Sequence, residues 1–148
     1  MSKDYSIETK KYEIIVYGKP QGKGRPRFAR RGKYVHTYTP KETLDYEEKF
    51  SKAWREKGYP KLEGPVQVEV YASMYIPKNT PKKQREQMLK GEIKPTKKPD
   101  IDNISKVVLD AINGVAWTDD NQVVVCYTRK LYDEKPYVLV RVRELKED

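Results

Sequence analysis

Four aspartates stand close together in an otherwise basic chain. Asp100 and Asp102 lie in Lys97-Lys98-Pro99-Asp100-Ile101-Asp102-Asn103, and Asp119-Asp120 follow after a short helical segment. Carboxylates gathered this tightly repel one another, which raises their pKa values unless a cation occupies the gap. Oxygen-only ligands suit hard cations such as Mg²⁺ and Mn²⁺. Ions of this kind polarise a phosphoryl oxygen, acidify water and shield a leaving alkoxide. Lys106 follows Asp102 by one helical turn and shares its helix face. An ammonium group there would neutralise charge developing on a phosphate. Each residue also has a plainer use. Aspartate is a preferred helix N-cap, so Asp102 could be only a cap. Asp119-Asp120-Asn121 is ordinary turn chemistry. The Asp102–Lys106 pair could be a surface salt bridge worth under ~1 kcal/mol. Asp110, another turn along, is read as facing solvent.

A second group of residues supplies concentrated positive charge. Lys19, Lys23, Arg25, Arg27, Arg30, Arg31 and Lys33 lie between Gly18 and Tyr34 with no acid among them. Glycines there let the backbone approach a phosphate, and guanidinium groups offer it bidentate contacts. Phe28 and Tyr34 could stack or wedge. A solvated charge run is the alternative. Lys94, Lys97 and Lys98 add charge directly before the acidic site, where a scissile strand would enter. The candidate DNA contacts are Lys23, Arg25, Arg27, Lys97 and Lys98.

The balance of the whole chain agrees with a polyanionic partner. Its 148 residues carry 31 Lys and Arg against 22 Asp and Glu, a formal charge of +9. Such a surface binds a phosphate backbone through counterion release. No apolar run approaches the ~20 residues of a membrane span, and no signal-peptide core follows Met1, so a cytoplasmic protein without a membrane partner is expected. A single histidine, His36, excludes a histidine-based zinc site. The single cysteine, Cys126, cannot form an intrachain disulfide, and its flank of Val123, Val124 and Val125 reads as strand core.

The elements that must position these residues follow from periodicity and punctuation. Residues 1–11 are polar and expected to be frayed. Tyr12–Tyr17 reads as a first strand, Gly18–Lys33 as a loop and Tyr34–Tyr38 as a second strand. Thr39 as N-cap and Pro40 at the first helical position open a helix whose buried stripe is Tyr46, Phe50, Ala53 and Trp54. Gly58 and Pro60 stop it. From Pro65 to Tyr75, Val66, Val68 and Val70 alternate with Gln67, Glu69 and Tyr71, which predicts a strand. Thr80-Pro81 starts a polar helix to about Leu89. Gly91–Pro99 is a linker. Asp102 or Asn103 then caps a third helix to about Ile112, with Ile104, Val107, Val108, Ala111 and Ile112 inward. Gln122–Tyr127 and Tyr137–Val142 are closing strands around a turn at Asp133–Pro136. The order β-β-α-β-α-α-β-β describes one α+β domain over residues 1–148, with a mixed or antiparallel sheet flanked by helices. On this plan, the strand near Gln122 returns beside the third helix's N-terminus and brings Asp119-Asp120 to the first pair.

Three segments together resemble one protein family. Lys98-Pro99-Asp100-Ile101-Asp102-Asn103-Ile104-Ser105-Lys106, Asp110-Ala111-Ile112-Asn113-Gly114 and Trp117-Thr118-Asp119-Asp120-Asn121-Gln122-Val123 are similar to the signature of the RusA family of Holliday junction resolvases. Gly18-Lys19-Pro20, Lys23-Gly24-Arg25-Pro26-Arg27-Phe28 and Tyr38-Thr39-Pro40-Lys41 match its N-terminal pattern. The resemblance runs from about Tyr12 to Val142. It implies a small homodimeric α/β endonuclease that needs Mg²⁺ or Mn²⁺ and nicks four-way DNA junctions symmetrically, often in a phage or prophage recombination system. Carried over by motif position, Asp100, Asp102 and Asp120 would hold the metal, Asp119 would be a possible further ligand, and Lys106 would be the catalytic lysine. A flap or branched-DNA nuclease and a non-catalytic DNA-binding module remain as alternatives.

Overall fold

The computed structural model describes residues 10–145. Its main sheet has four strands in the order β1-β6-β4-β5: β1 Lys11–Tyr17, β4 Val66–Met74, β5 Val123–Tyr132 and β6 Tyr137–Glu144. β6 pairs antiparallel with both β1 and β4, whereas β5 pairs parallel with β4. Parallel neighbours need a crossover connection. Here it carries α2, Lys82–Leu89, and α3, Ile101–Ile112, and so delivers Asp100 to the site. α1, Lys41–Glu56, precedes β4. The mixed sheet and α+β class agree with the sequence reading.

Strand alternation divides the sheet into two faces. Register lines up Tyr12, Val142 and Val68 in one row, Ile14, Val140 and Val70 in the next, and Val16, Val138 and Ala72 in a third. All nine are buried. Tyr46, Phe50 and Trp54 of α1 and Ile104, Val107, Val108 and Ile112 of α3 join them in one core. Each large apolar side chain buried there contributes roughly 1.5–3 kcal/mol. The other face carries an ion-pair chain, with Arg141 bonded to Glu13 at 2.6 Å and Glu69 at 3.0 Å, and Arg143 to Glu69 at 3.3 Å. Burial opposes the Glu69 charge, but hydrogen bonds from Arg143 and Gln67 outweigh it and hold the carboxyl below its usual range.

The structure corrects several local expectations. Lys11 already belongs to β1, while residues 1–9 lie outside the described residues. The expected loop contains a strand: β2, Arg27–Arg31, pairs with β3, Tyr34–Tyr38, as a separate two-stranded ribbon. Gly32, at φ +59, starts the two-residue turn between them, a conformation that costs glycine little. Thr39 does not cap α1. Pro40 stands at the N-cap, without a side-chain bond, and its carbonyl accepts from Thr43 and Leu44. Pro81 occupies the same place before α2. β5 extends to Tyr132 as an edge strand, so Cys126 is exposed rather than core.

Candidate active site and nucleic-acid surface

Asp100 is the N-cap of α3, in place of the expected Asp102 or Asn103. Its backbone is extended, at φ −79 and ψ 168, and its Oδ1 accepts from the Asn103 N–H at 3.0 Å. That bond fixes the carboxylate's direction. Asp102 sits in the first turn, and both side chains are exposed. The helix dipole favours negative charge at this end, by about 0.3–1 kcal/mol for an exposed group. Lys106 is exposed one turn further on. It belongs to no ion pair among the described residues, so its charge is not spent on Asp102.

Neighbouring elements hold this helix end in place. Ser105 Oγ donates to Ile101 O at 2.9 Å and shares a 2.7 Å hydrogen bond with Thr128 Oγ1 of β5. Lys130 Nζ donates to Lys97 O at 2.6 Å, tying the linker to the same strand. On the other flank, Gly22 comes so close that a Cβ there would lie 2.9 Å from Asn103 Cβ and 3.1 Å from Pro99 Cβ. Only a glycine fits without displacing the helix start. The Gly24 N–H donates to Thr43 Oγ1 at 3.2 Å, and the Gln21 N–H to Tyr46 Oη at 3.3 Å. These glycines thus seat the basic segment on α1 and α3.

The second acid pair lies elsewhere. Asp119 caps the 3₁₀ turn Asp120–Gln122, accepting from the Asn121 N–H at 3.1 Å. Asp120 Oδ1 accepts from Trp117 Nε1 at 2.9 Å. Gln122 clamps the turn, donating to Leu62 O at 3.0 Å and Gly64 O at 2.9 Å. β5 does return beside the N-terminal half of α3, as expected, but through Thr128 and Lys130. Asp119 and Asp120 precede that strand and follow the far end of α3, whose 12 residues span about 18 Å. Among the described residues, no three acid, histidine or cysteine side chains gather into a metal-holding group within one chain.

The candidate DNA contacts divide into two kinds. Arg25, Lys97 and Lys98 are exposed. Arg27 is exposed too, with a loose 3.6 Å pair to Glu42. Lys23 turns inward instead, to Glu47 at 3.0 Å and Asp110 at 3.1 Å. Burial opposes its charge, but the two carboxylates outweigh that and raise its pKa. Asp110 is therefore a partner of Lys23 rather than a plain surface acid. Reading the sequence also missed Arg129 and Lys130. With Lys94, Asp100, Ile101 and Tyr127 they line a cleft of about 670 Å³ beside the first acid pair. The signal was a strand running past Tyr127 into two further cations.

A family model described as Endodeoxyribonuclease RusA matches residues 17–143, a span that contains both acid pairs, Lys106 and the basic segment. The chain belongs to the RusA family. It is also 37% identical over 136 residues to a protein of Bacillus subtilis (strain 168) described as "Uncharacterized protein YqaN", covering 90% of this chain and 96% of that one. The RusA family acts as an endodeoxyribonuclease on Holliday junctions, which sets the exposed acids and cations of α3 in a nuclease context. No helix among the described residues is long and apolar enough to cross a membrane.

Proposed function

We propose that this RusA-family chain is a divalent-metal-dependent resolvase, acting in the cytoplasm as a homodimer that nicks two opposed strands of a four-way junction. The observation that carries this reading is the N-terminus of α3. Two exposed carboxylates, Asp100 and Asp102, stand there with Lys106, which has no ion pair among the described residues, and with the exposed Lys97 and Lys98 just upstream. The donors fit Mg²⁺ or Mn²⁺, because Mg²⁺ keeps several waters and binds through one or two carboxylates plus substrate phosphate oxygens. Asp100 and Asp102 would hold the ion, with Asp120, and Asp119 as a further candidate, as the remaining acids. The chemistry supplied by such a cation is charge neutralisation at the phosphate and acidification of the attacking water.

The chain's own groups do the rest. Asn103 N–H orients Asp100 by holding Oδ1, which leaves Oδ2 for ligation. Lys106 stabilises charge that develops on the phosphate oxygens. Arg25, Arg27, Lys97 and Lys98 hold the flanking backbone, and Arg129 and Lys130 extend that surface into the cleft. Water attacks in line and the 3′ oxygen departs, leaving 5′-phosphate and 3′-hydroxyl ends. A four-way junction presents two equivalent strands, and a two-fold dimer presents two equivalent sites. Within one chain the two acid pairs do not gather into a metal-holding group, so in this reading Asp119 and Asp120 of a partner chain would have to complete the near pair.

The deciding experiment is incubation with an end-labelled four-way junction, with and without Mg²⁺. Paired symmetric nicks that require the metal support the resolvase. Single nicks on flapped or branched substrates would favour a flap nuclease instead. No cleavage of any DNA under either condition would leave a binding module.

A further inference from the structure

The ribbon of β2 and β3 adds no residue to the hydrophobic core. Four of the five residues in β2 and all five in β3 are exposed. A two-stranded ribbon has little stability of its own in water. Yet this one displays Phe28 at 72%, Tyr34 at 80% and Val35 at 65% exposure. Exposed apolar groups clustered in this way mark an interaction surface. Charge identifies the kind of partner. Arg25, Arg27, Arg30, Arg31 and Lys33 crowd the ribbon, and the first acid after it is Glu42.

Pairing sorts these side chains into two faces, since residues directly opposite point the same way. Arg27 faces Tyr38, Ala29 faces His36 and Arg31 faces Tyr34 on one side. On the other, Phe28 faces Thr37 and Arg30 faces Val35. The second face therefore sets Phe28 and Val35 on one diagonal, with Thr37 and the Arg30 guanidinium on the other. Any duplex offers phosphates to the arginines. A stacked duplex, however, covers its base faces and offers nothing to an exposed phenyl ring. Where strands exchange between helices, base faces become available, and aromatic rings stack on them.

We propose that the β2–β3 ribbon is the branch-recognition element: its arginines take phosphates of converging arms, and Phe28, backed by Val35, packs on bases exposed at the branch point. This rests on the junction-cleaving reading above. The test measures the affinity of the full-length protein for a four-way junction and for a linear duplex of the same sequence, in EDTA. The expected result is that Phe28→Ala lowers the junction-to-duplex affinity ratio by about tenfold, the scale of one lost aromatic stack. Phe28→Tyr, which keeps a ring, should retain the ratio. Arg30→Ala with Arg31→Ala should weaken both DNAs together and flatten their salt dependence.

A wild-type preference for the junction that survives Phe28→Ala would overturn the inference and leave the resolvase reading standing. No wild-type preference at all would sink both. Unchanged salt dependence in the arginine variant would remove the phosphate contacts. A lower oligomeric mass for Phe28→Ala by gel filtration would also overturn the proposal, because the ribbon would then be engaging a second copy.

Discussion

Lys23 Nζ lies 3.1 Å from Asp110 Oδ2, so a lysine of the basic segment is bound to the last full turn of α3. Its second contact, to Glu47 at 3.0 Å, reaches α1. One ammonium group therefore joins three parts of the chain: the glycine-containing segment that passes Asn103, the helix that carries Asp102 and Lys106, and the helix that fills the core. This enclosed cation is thus a brace for the site, and the exposed cations are its neighbours in the chain.

Lys23→Ala should therefore destabilise the fold. Glu47 would keep a largely buried carboxylate without its cation, a loss of about 1–3 kcal/mol. Thermal unfolding should fall by several degrees for a domain of this size. The pH dependence has a definite sign. Lys23 is raised in the folded state, so its stabilisation is complete below the unfolded lysine pKa, about 10.4. It is lost as pH rises through the higher folded value. The difference in stability between wild type and Lys23→Ala should accordingly shrink on the alkaline side of pH 10. Equal melting temperatures at pH 7 would contradict the bracing role.

Arg25→Ala with Arg27→Ala should behave in the opposite way. Both residues are exposed, and the Arg27–Glu42 contact is a loose surface pair that contributes little. Melting should stay within about a degree of wild type. Junction affinity should fall, with a salt slope smaller by about one unit for each phosphate contact removed. Titrations at several salt concentrations measure this, and an unchanged slope would make the segment a solvated charge run.

The sequence carried the core better than the site. Val66, Val68 and Val70, Tyr46, Phe50 and Trp54, and Ile104, Val107 and Val108 were legible because burial imposes a period of two or of 3.6. β2 was not, because Arg27–Arg31 buries no face in the core and leaves no alternation to read; pairing across the Gly32 turn makes it a strand. The exposure of Cys126 was hidden for a related reason, since an edge strand of valines reads like an inner one. At the site, residue types were legible and distances were not. Asp100 and Asp102 are joined by local chain geometry. The placement of Asp119 and Asp120 depends on where β5 begins along α3, a long-range register that spacing does not encode.

Asp102→Asn should abolish junction cleavage while keeping or strengthening metal-free junction binding. The side chain is an exposed carboxylate, and in the proposed role its removal relieves repulsion of an anionic substrate even as it takes away a ligand. Asp100 permits a finer comparison. Asparagine still caps a helix, whereas alanine does not. Asp100→Asn should thus lose cleavage at nearly wild-type stability, and Asp100→Ala should lose cleavage and about 1 kcal/mol besides. Nicking assays paired with metal-free gel shifts and thermal melts read all three variants. Near wild-type nicking by Asp102→Asn would end its role as a ligand.

Lys106 offers the sharpest separation between a structural and a chemical role. It is exposed and forms no ion pair among the described residues, so Lys106→Ala should change folding stability by no more than about 0.5 kcal/mol, as for other surface substitutions. A lysine whose contact strengthens as the phosphate gains charge makes a different demand. Its loss should leave folding and junction affinity intact and lower the rate of the chemical step. The expected loss is of order 10²-fold or more, comparable to removal of an oxyanion-hole donor. Lys106→Arg should rescue poorly, because a planar, bulkier fork does not reproduce a compact point charge. Single-turnover cleavage of a four-way junction, at saturating protein and Mg²⁺, isolates that step. A rate for Lys106→Ala within about threefold of wild type would remove Lys106 from the chemistry and leave it as a surface lysine of α3.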